Sequence, residues 1–115
     1  MSRSTIERLR DARDFAHRAD FRVAGLDRDI FSGDDEVKYT VYYCLIGIGE
    51  ALKEVPEDVL ASELNVPWVS IIGMRNRLVH AYWRIDDGIV HDVATLELPA
   101  HEQALERIIK RLAQP

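Results

Sequence analysis

The sequence contains little that would suggest a secreted, membrane-bound or metal-binding protein. It has one cysteine, Cys44, so no disulfide can form within the chain. Its longest apolar run, Val41–Gly49, is far shorter than the ~20 residues that cross a bilayer. The amino terminus has no apolar core of the signal-peptide kind, and the four histidines lack the spacing of a metal site. We therefore expect a cytoplasmic protein with no membrane association, metal or other cofactor.

The chain also has no internal repeat, low-complexity tract or Gly/Ser linker. Its 115 residues, 47% hydrophobic and 30% charged, fit one compact domain, which we expect to span residues 1–115. The formal net charge of −5 argues against a protein that coats nucleic acid, because that mode of binding needs a broad basic face. Any contact with nucleic acid should be local.

The first predicted helix begins at a capping-box pattern formed by Ser4 and Glu7 and runs to about Ala24, with Gly25 as its stop. Its apolar face follows a three-and-four spacing: Ile6, Leu9, Ala12, Ala16, Ala19 and Val23. A turn is expected at residues 32–35.

The second predicted helix ends at Pro56 and carries another helical stripe: Val37, Val41, Leu45, Ile48, Leu52 and Val55. Gly47 and Gly49 lower its helix propensity, and we interpret both as places where another backbone comes close. Cys44 in the same segment is expected to be a small buried hydrophobic residue. A short helical turn is predicted at residues 57–64.

Pro67 should open the next helix, whose stripe consists of Trp68, Ile71, Arg75, Leu78 and Tyr82. Arg75 thus occupies a position where leucine is expected. Burying a guanidinium without an anionic partner costs several kcal/mol, so Arg75 should meet either a phosphate or the Glu50 carboxylate across the bundle. No Asp or Glu lies between Val66 and Ile85, so this segment is locally suited to a phosphate.

The polar side chains of this helix spread around its axis. At 100° per residue, Tyr82 lies within about 20° of Arg75, while Asn76 and His80 lie about 100° and 140° round from it. One narrow pocket within a single bundle would not gather these groups, whereas a cleft between two copies of the helix could. A cleft between two copies is therefore one arrangement in which these groups could act together.

The last part of the chain gives a mixed local signal. Asp87-Gly88 between short β-branched stretches favours a hairpin when taken alone. The flanking runs are short, however, so we predict that Asp86 or Asp87 caps a short helix through about Thr95. Pro99 then opens a last helix with its own apolar residues: Leu105, Ile108, Ile109 and Leu112.

The spacing Arg-x4-His-x-Tyr, here Arg75, His80 and Tyr82, resembles the HEPN-domain proteins of the HepT-like toxin family. The supporting matches occur in order along the chain: Ile48-Gly49-Glu50-Ala51, Pro67-Trp68, Ile72-Gly73-Met74, Asn76 and Leu98-Pro99. The resemblance covers about residues 4–112. It implies an all-helical antiparallel bundle of four to five helices that dimerises and places the motif at the dimer cleft.

The resemblance also implies a metal-independent endoribonuclease toxin, with RNA as its substrate and a minimal nucleotidyltransferase as its cognate antitoxin. In some systems of this family the antitoxin attaches AMP to the motif tyrosine, here Tyr82. The implied catalytic residues are Arg75, His80 and Tyr82, with Asn76 in a supporting role. The alternative is a non-catalytic helical module that binds a nucleotidyltransferase partner or a nucleotide.

The residue types suit metal-free RNA cleavage by a neighbouring 2′-hydroxyl. His80 is the candidate for proton transfer, because histidine titrates near neutral pH, and Arg75 can clamp phosphate oxygens with its planar fork. Tyr82 could orient the phosphate or the histidine, and Asn76 could fix the His80 ring by a hydrogen bond. As structural alternatives, Tyr82 is a core aromatic, and the two tryptophans, Trp68 and Trp83, are core or interface anchors. The remaining histidines are expected to be surface or structural residues: His17, His91 and His101.

Overall fold

The computed structural model describes residues 3–114, and residues 1, 2 and 115 lie outside the described part. Within residues 3–114 the chain is helical and contains no strand. Four long helices are joined by three short ones: α1 (Thr5–Val23), α2 (Arg28–Gly33), α3 (Asp35–Lys53), α4 (Glu57–Ala61), α5 (Trp68–His80), α6 (Asp87–Asp92) and α7 (Leu98–Ala113). The predicted fold class, an all-helical bundle, is confirmed.

Helix α1 begins and ends where its local signals predict. Ser4 Oγ accepts a hydrogen bond from the Glu7 amide at 3.2 Å, and the Ser4 amide donates to Glu7 Oε1 at 2.9 Å. This reciprocal capping box satisfies two amides that the helix itself leaves free. The helix ends at Val23, and Gly25 follows with φ of 77°, a conformation that glycine adopts without strain.

Helix α2 was not predicted; the expected turn at residues 32–35 is instead the end of α2, the cap Asp34 and the start of α3. Asp27 caps its first turn by accepting from the Ile30 amide at 2.9 Å, and Phe31 is fully buried. Asp34 then caps α3 by accepting from the Val37 amide at 3.1 Å. A buried aromatic residue therefore anchors the connection between the first two long helices.

Helix α3 lies at the centre of the bundle, packed against α1 on one side and α5 on the other. All six residues of its predicted stripe are buried, as is Cys44, whose pKa is raised by burial. A Cβ atom built on Gly47 would lie 2.6 Å from Phe15 Cε2 on α1, and one on Gly49 would lie 2.2 Å from Arg75 Cβ on α5. Both glycines mark close approaches between helices, but Gly47 faces the Phe15 ring and Gly49 the Arg75 stem, so the neighbours are side chains rather than the backbone that was predicted.

Helix α5 ends at His80, two residues earlier than its apolar stripe suggested. Ala81 has φ of −143° and ψ of 42°, and Tyr82–Arg84 form a 3₁₀ turn. The prediction that Tyr82 lies on the stripe of Arg75 is therefore wrong, because the 100° rotation per residue stops where the backbone leaves the helix. Tyr82 is 73% exposed and is not a core aromatic.

Residues 86–113 form nearly continuous helical structure rather than a hairpin. Asp86 Oδ1 caps α6 by accepting from the Gly88 and Ile89 amides, as predicted. A π-helical segment, Val93–Glu97, joins α6 to α7, and Pro99 lies in the first turn of α7. The predicted core residues of α7 are buried except Leu112, which is 47% exposed in the last turn, where a helix has fewer neighbours.

Salt bridges tie the connection after α4 to α7. Glu63 accepts from Arg107 at 2.6 Å and from Arg111 at 2.9 Å, and these hydrogen bonds lower the pKa of Glu63. Trp68 at the start of α5 is buried and donates from Nε1 to the Leu60 carbonyl at 2.8 Å.

None of the helices in residues 3–114 combines the length and the hydrophobicity required to span a membrane.

Candidate active site

Arg75 is anchored between α3 and α5. Its aliphatic stem lies against the backbone of Gly49, which leaves the space that a side chain there would fill. Its side chain is 15% exposed, and Nη2 forms a salt bridge with Glu50 Oε2 at 3.2 Å. The salt bridge between Arg75 and Glu50 across the bundle, which was one of the expected alternatives, is therefore present.

The pair with Glu50 leaves part of the guanidinium without a partner. The Nε atom of Arg75 is buried and makes no hydrogen bond within residues 3–114. The Glu50 side chain is 46% exposed and also binds Lys53 Nζ at 3.0 Å. The hydrogen bond from Lys53 and the charge of Arg75 both lower the pKa of Glu50. Since Glu50 is shared between two cations and half-exposed, an incoming anion can compete for Arg75.

Asn76 contacts Arg75 rather than His80. Its Oδ1 accepts from Arg75 Nη1 at 2.9 Å. We expected Asn76 to fix the His80 ring, and this expectation does not match the observed hydrogen bond. The amide oxygen instead goes to the adjacent guanidinium, which is the stronger donor because it is charged. Asn76 therefore helps to orient Arg75.

His80 is the last residue of α5 and is exposed. In the described part of the chain, its ring takes part in no hydrogen bond or salt bridge, so both ring nitrogens face solvent or an incoming ligand. The remaining histidines differ: His17 contacts Glu102 on the surface, while His91 and His101 are buried against the carbonyls of Leu26 and Glu97. The prediction that these three are surface or structural residues is confirmed.

Tyr82 and Trp83 project from the 3₁₀ turn that follows His80. They are 73% and 69% exposed, and their rings meet edge to face with centroids 5.5 Å apart. Trp83 is thus not a core anchor of this chain, in contrast to Trp68. Two large aromatic side chains exposed side by side are typical of an interaction surface.

The structure therefore brings the motif to one end of α5 in two parts. Arg75 lies on the side that faces α3 and is bound by the exposed Asn76, whereas His80 and Tyr82 are exposed where the helix ends. No hydrogen bond joins the two parts within residues 3–114. Over the same residues, no group of three or more His, Cys, Asp or Glu side chains is arranged to hold a metal ion.

Sequence reasoning interpreted Gly49 as a close approach without identifying its neighbour as Arg75. The sequence did contain a signal that Arg75 is this neighbour: Glu50, which follows Gly49, had already been considered as a partner for Arg75. A glycine and a glutamate side by side on the facing helix supply space for the arginine stem and an acceptor for its guanidinium.

Comparison with known proteins gives consistent matches. The family model described as "Ribonuclease HepT-like" matches residues 5–108. A protein of Methanocaldococcus jannaschii named "Putative RNase MJ0125" is 35% identical over 89 residues, which are 77% of this chain and 77% of that protein. Another from the same organism, "Putative RNase MJ0127", is 31% identical over 91% of this chain and 81% of its own length.

A protein of Thermococcus cleftensis named "Probable ribonuclease HepT" is 29% identical over 70% of this chain and 73% of that protein. No solved structure gives a significant match to this chain.

Proposed function

Since the chain belongs to the HepT-like ribonuclease family, we propose that it is a metal-independent endoribonuclease toxin, formed by one domain over residues 1–115 and acting in the cytoplasm. The observation that carries the proposal is the geometry of the motif: Arg75 is held in place by α3, while His80 is exposed with both ring nitrogens available. A fixed cation and an accessible proton-transfer group are the two elements that metal-free phosphodiester cleavage requires.

Arg75 acts on the phosphate in this proposal. As the 2′-oxygen attacks phosphorus, negative charge gathers on the non-bridging oxygens, and a positioned guanidinium stabilises that charge. Gly49 and Glu50 hold the guanidinium before the substrate arrives, so little reorganisation is needed. Asn76 supports it by accepting from Nη1.

His80 moves the protons. The 2′-hydroxyl gives up its proton, the 2′-oxygen bonds to phosphorus, and the bond to the 5′-oxygen breaks as that oxygen gains a proton. The products are a 2′,3′-cyclic phosphate and a 5′-hydroxyl. A histidine can accept the first proton as neutral imidazole or donate the second as imidazolium. No metal is needed for either transfer.

Tyr82 has two roles in the proposal. Its hydroxyl can orient the phosphate or the His80 ring, and it can accept AMP from a minimal nucleotidyltransferase antitoxin. A protein partner can reach this hydroxyl, because the side chain is 73% exposed at the end of α5. AMP attached there would place a bulky anion beside the cleft and silence the toxin.

We further propose that two copies of the chain form the RNA-binding cleft. Arg75 faces α3, while His80 ends α5 and Tyr82 lies just beyond it, so the motif covers a wide surface rather than a closed pocket. Trp83, which is 69% exposed beside Tyr82, gives this surface an apolar side chain that a second copy can cover while the Tyr82 hydroxyl stays accessible.

The test is RNA cleavage in the presence of a chelator by three identically purified proteins. The parent and His17→Ala should cleave RNA, because His17 is an exposed histidine on α1 away from the motif. His80→Ala should be slower by about 10²-fold or more, the usual contribution of a general acid or base. The intact mass of each preparation identifies any attached AMP.

Cleavage that is the same in all three preparations would indicate a contaminating nuclease and contradict the proposal. A parent that is inactive and carries no AMP would favour the non-catalytic module. An inactive parent that does carry AMP should regain activity when the AMP is removed enzymatically.

A further inference from the structure

A groove lies between the end of α5 and the start of α6, and we call it the arginine groove. It encloses a volume of about 270 Å³. Its walls carry Arg77 and Arg84, and its apolar lining comes from Met74, Ala81, Ile85 and Ile89. Ile89 is 46% exposed, so part of this apolar lining is open to solvent.

The charge of the arginine groove favours an anion. Arg77 and Arg84 are exposed, and neither forms a salt bridge or side-chain hydrogen bond with any residue in the described part of the chain. Asp86 also lines the groove, but its Oδ1 is occupied by the Gly88 and Ile89 amides that it caps. Two unpaired guanidinium groups therefore outweigh one carboxylate.

The groove adjoins the candidate active site on the side away from Arg75. Going round α5, His80 lies about 140° and Arg77 about 200° from Arg75, so Arg77 is only about 60° beyond His80. An RNA strand whose phosphate lies between Arg75 and His80 would continue round the helix into the arginine groove.

We propose that the arginine groove binds one nucleotide of single-stranded RNA adjacent to the phosphate that is cleaved. The base packs on the apolar lining, and Arg77 and Arg84 bind the phosphate of that nucleotide. This inference rests on the proposed ribonuclease function and adds a substrate subsite to it.

The size of the groove supports a nucleotide rather than a protein segment as its occupant. Its volume is just below the lower end of the range for ligand pockets, about 300 Å³, which suits one nucleoside. A stable protein interface buries about 800 Å² on each partner, so a protein partner would also have to cover the surface around the groove. Bases present apolar faces to proteins, and arginine forks pair with phosphate oxygens, so both parts of a nucleotide find a matching surface.

The test is the binding of a short fluorescent single-stranded RNA, followed by anisotropy, with every protein in a His80→Ala background so that the RNA stays intact. The combined substitution Arg77→Gln and Arg84→Gln should raise the Kd about tenfold or more and reduce the slope of log Kd against log salt by about 0.7, the value for one phosphate of a single strand. Arg10→Gln, which removes an exposed charge from α1, should change neither quantity comparably.

The base contact is tested by Ile89→Ala, which changes no charge. It should raise the Kd by roughly threefold, because part of the packing surface for the base is lost. Leu112→Ala is the matched control, since Leu112 is 47% exposed against 46% for Ile89 and lies in the last turn of α7. The melting temperatures of all variants should stay close to that of the parent.

Each alternative outcome overturns a specific part of the account. One such outcome is that the parent cleaves RNA while the His80→Ala protein binds RNA no better than the same protein with the double arginine substitution. In that case the arginine groove is not a subsite, although the ribonuclease function stands. If Ile89→Ala behaves like Leu112→Ala, the base does not occupy the groove. If the groove variants bind RNA normally but lose a nucleotidyltransferase partner, the groove is a protein-docking surface. A parent that neither binds nor cleaves RNA overturns the ribonuclease function as well.

Discussion

Gly49 on α3 and Arg75 on α5 approach so closely that a Cβ on the glycine would lie 2.2 Å from the arginine Cβ and 2.6 Å from its Cγ. The two helices thus meet at the motif arginine itself. Glu50, the next residue on α3, binds the far end of the same side chain. The position of Arg75 is consequently determined by α3.

Gly49→Ala should lower both stability and activity. The new methyl group would overlap the Arg75 stem, and overpacking of this kind costs about 1–3 kcal/mol. Thermal unfolding should show a lower melting temperature, and RNA cleavage should fall because the guanidinium moves. Gly73→Ala on α5 is the control: a Cβ there meets nothing within 4 Å, and replacing a helical glycine by alanine gains up to about 1 kcal/mol. Equal melting temperatures for the two variants would contradict this packing.

Arg75→Met separates the phosphate clamp from a purely structural ion pair. Methionine keeps an unbranched stem against Gly49 and removes the charge, while Glu50 retains Lys53 and solvent contact. We expect the free energy of unfolding to change by no more than about 1 kcal/mol, because Glu50 is 46% exposed and keeps Lys53, so that removing Arg75 leaves no buried charge unpaired. RNA cleavage should fall by about 10²-fold or more.

Glu50→Gln is the companion to that variant, since it breaks the same ion pair but leaves the guanidinium. Its rate of RNA cleavage should stay well above the rate of Arg75→Met. A loss of about 3 kcal/mol in Arg75→Met, measured by denaturant unfolding, would instead show that the ion pair mainly stabilises the core.

Tyr82→Phe should remove the AMP acceptor without affecting the fold. The side chain is 73% exposed, and its hydroxyl makes no hydrogen bond within residues 3–114, so the stability change should stay within about 0.5 kcal/mol. After incubation with ATP and the cognate nucleotidyltransferase, intact mass should show AMP on the parent and on Tyr43→Phe, whose tyrosine is 67% exposed on α3. AMP on Tyr82→Phe would show that the acceptor lies elsewhere.

Trp83→Ala should weaken the proposed homodimer. Trp83 is 69% exposed beside Tyr82, so its removal takes a large apolar area from the proposed interface while costing this chain little packing. Sedimentation equilibrium should give the mass of two chains for the parent and a shift toward one chain for the variant. Phe21→Ala is the control, since Phe21 is 77% exposed on α1. A monomeric parent would remove the dimer cleft from the account.

The sequence predicted the features that depend on neighbouring residues. The capping box of Ser4 and Glu7, the stop at Gly25 and the cap at Asp86 are local patterns, and each lies where expected. The buried stripe of α3 was also predictable, because a central helix repeats its contacts every three or four residues.

Features that depend on distant packing could not be predicted in the same way. No glycine or proline near Ala81 marks the end of α5, so the stripe was extended to Tyr82. Helix α2 is short, and its anchor, Phe31, is buried only because other helices surround it. The arginine groove likewise needs α6 to lie beside α5, although the segment without acidic residues that supplies Arg77 and Arg84 had been predicted to suit a phosphate.

The measurement that tests the central claim most directly compares an RNA with its fully 2′-O-methylated counterpart, both incubated with the parent protein in chelator. Attack by a neighbouring 2′-hydroxyl, assisted by Arg75 and His80, predicts that the RNA is cut, that its fragments end in 2′,3′-cyclic phosphate, and that the methylated strand stays intact. Cleavage of the methylated strand at a similar rate, or cleavage of RNA that stops when the chelator is added, would contradict the account.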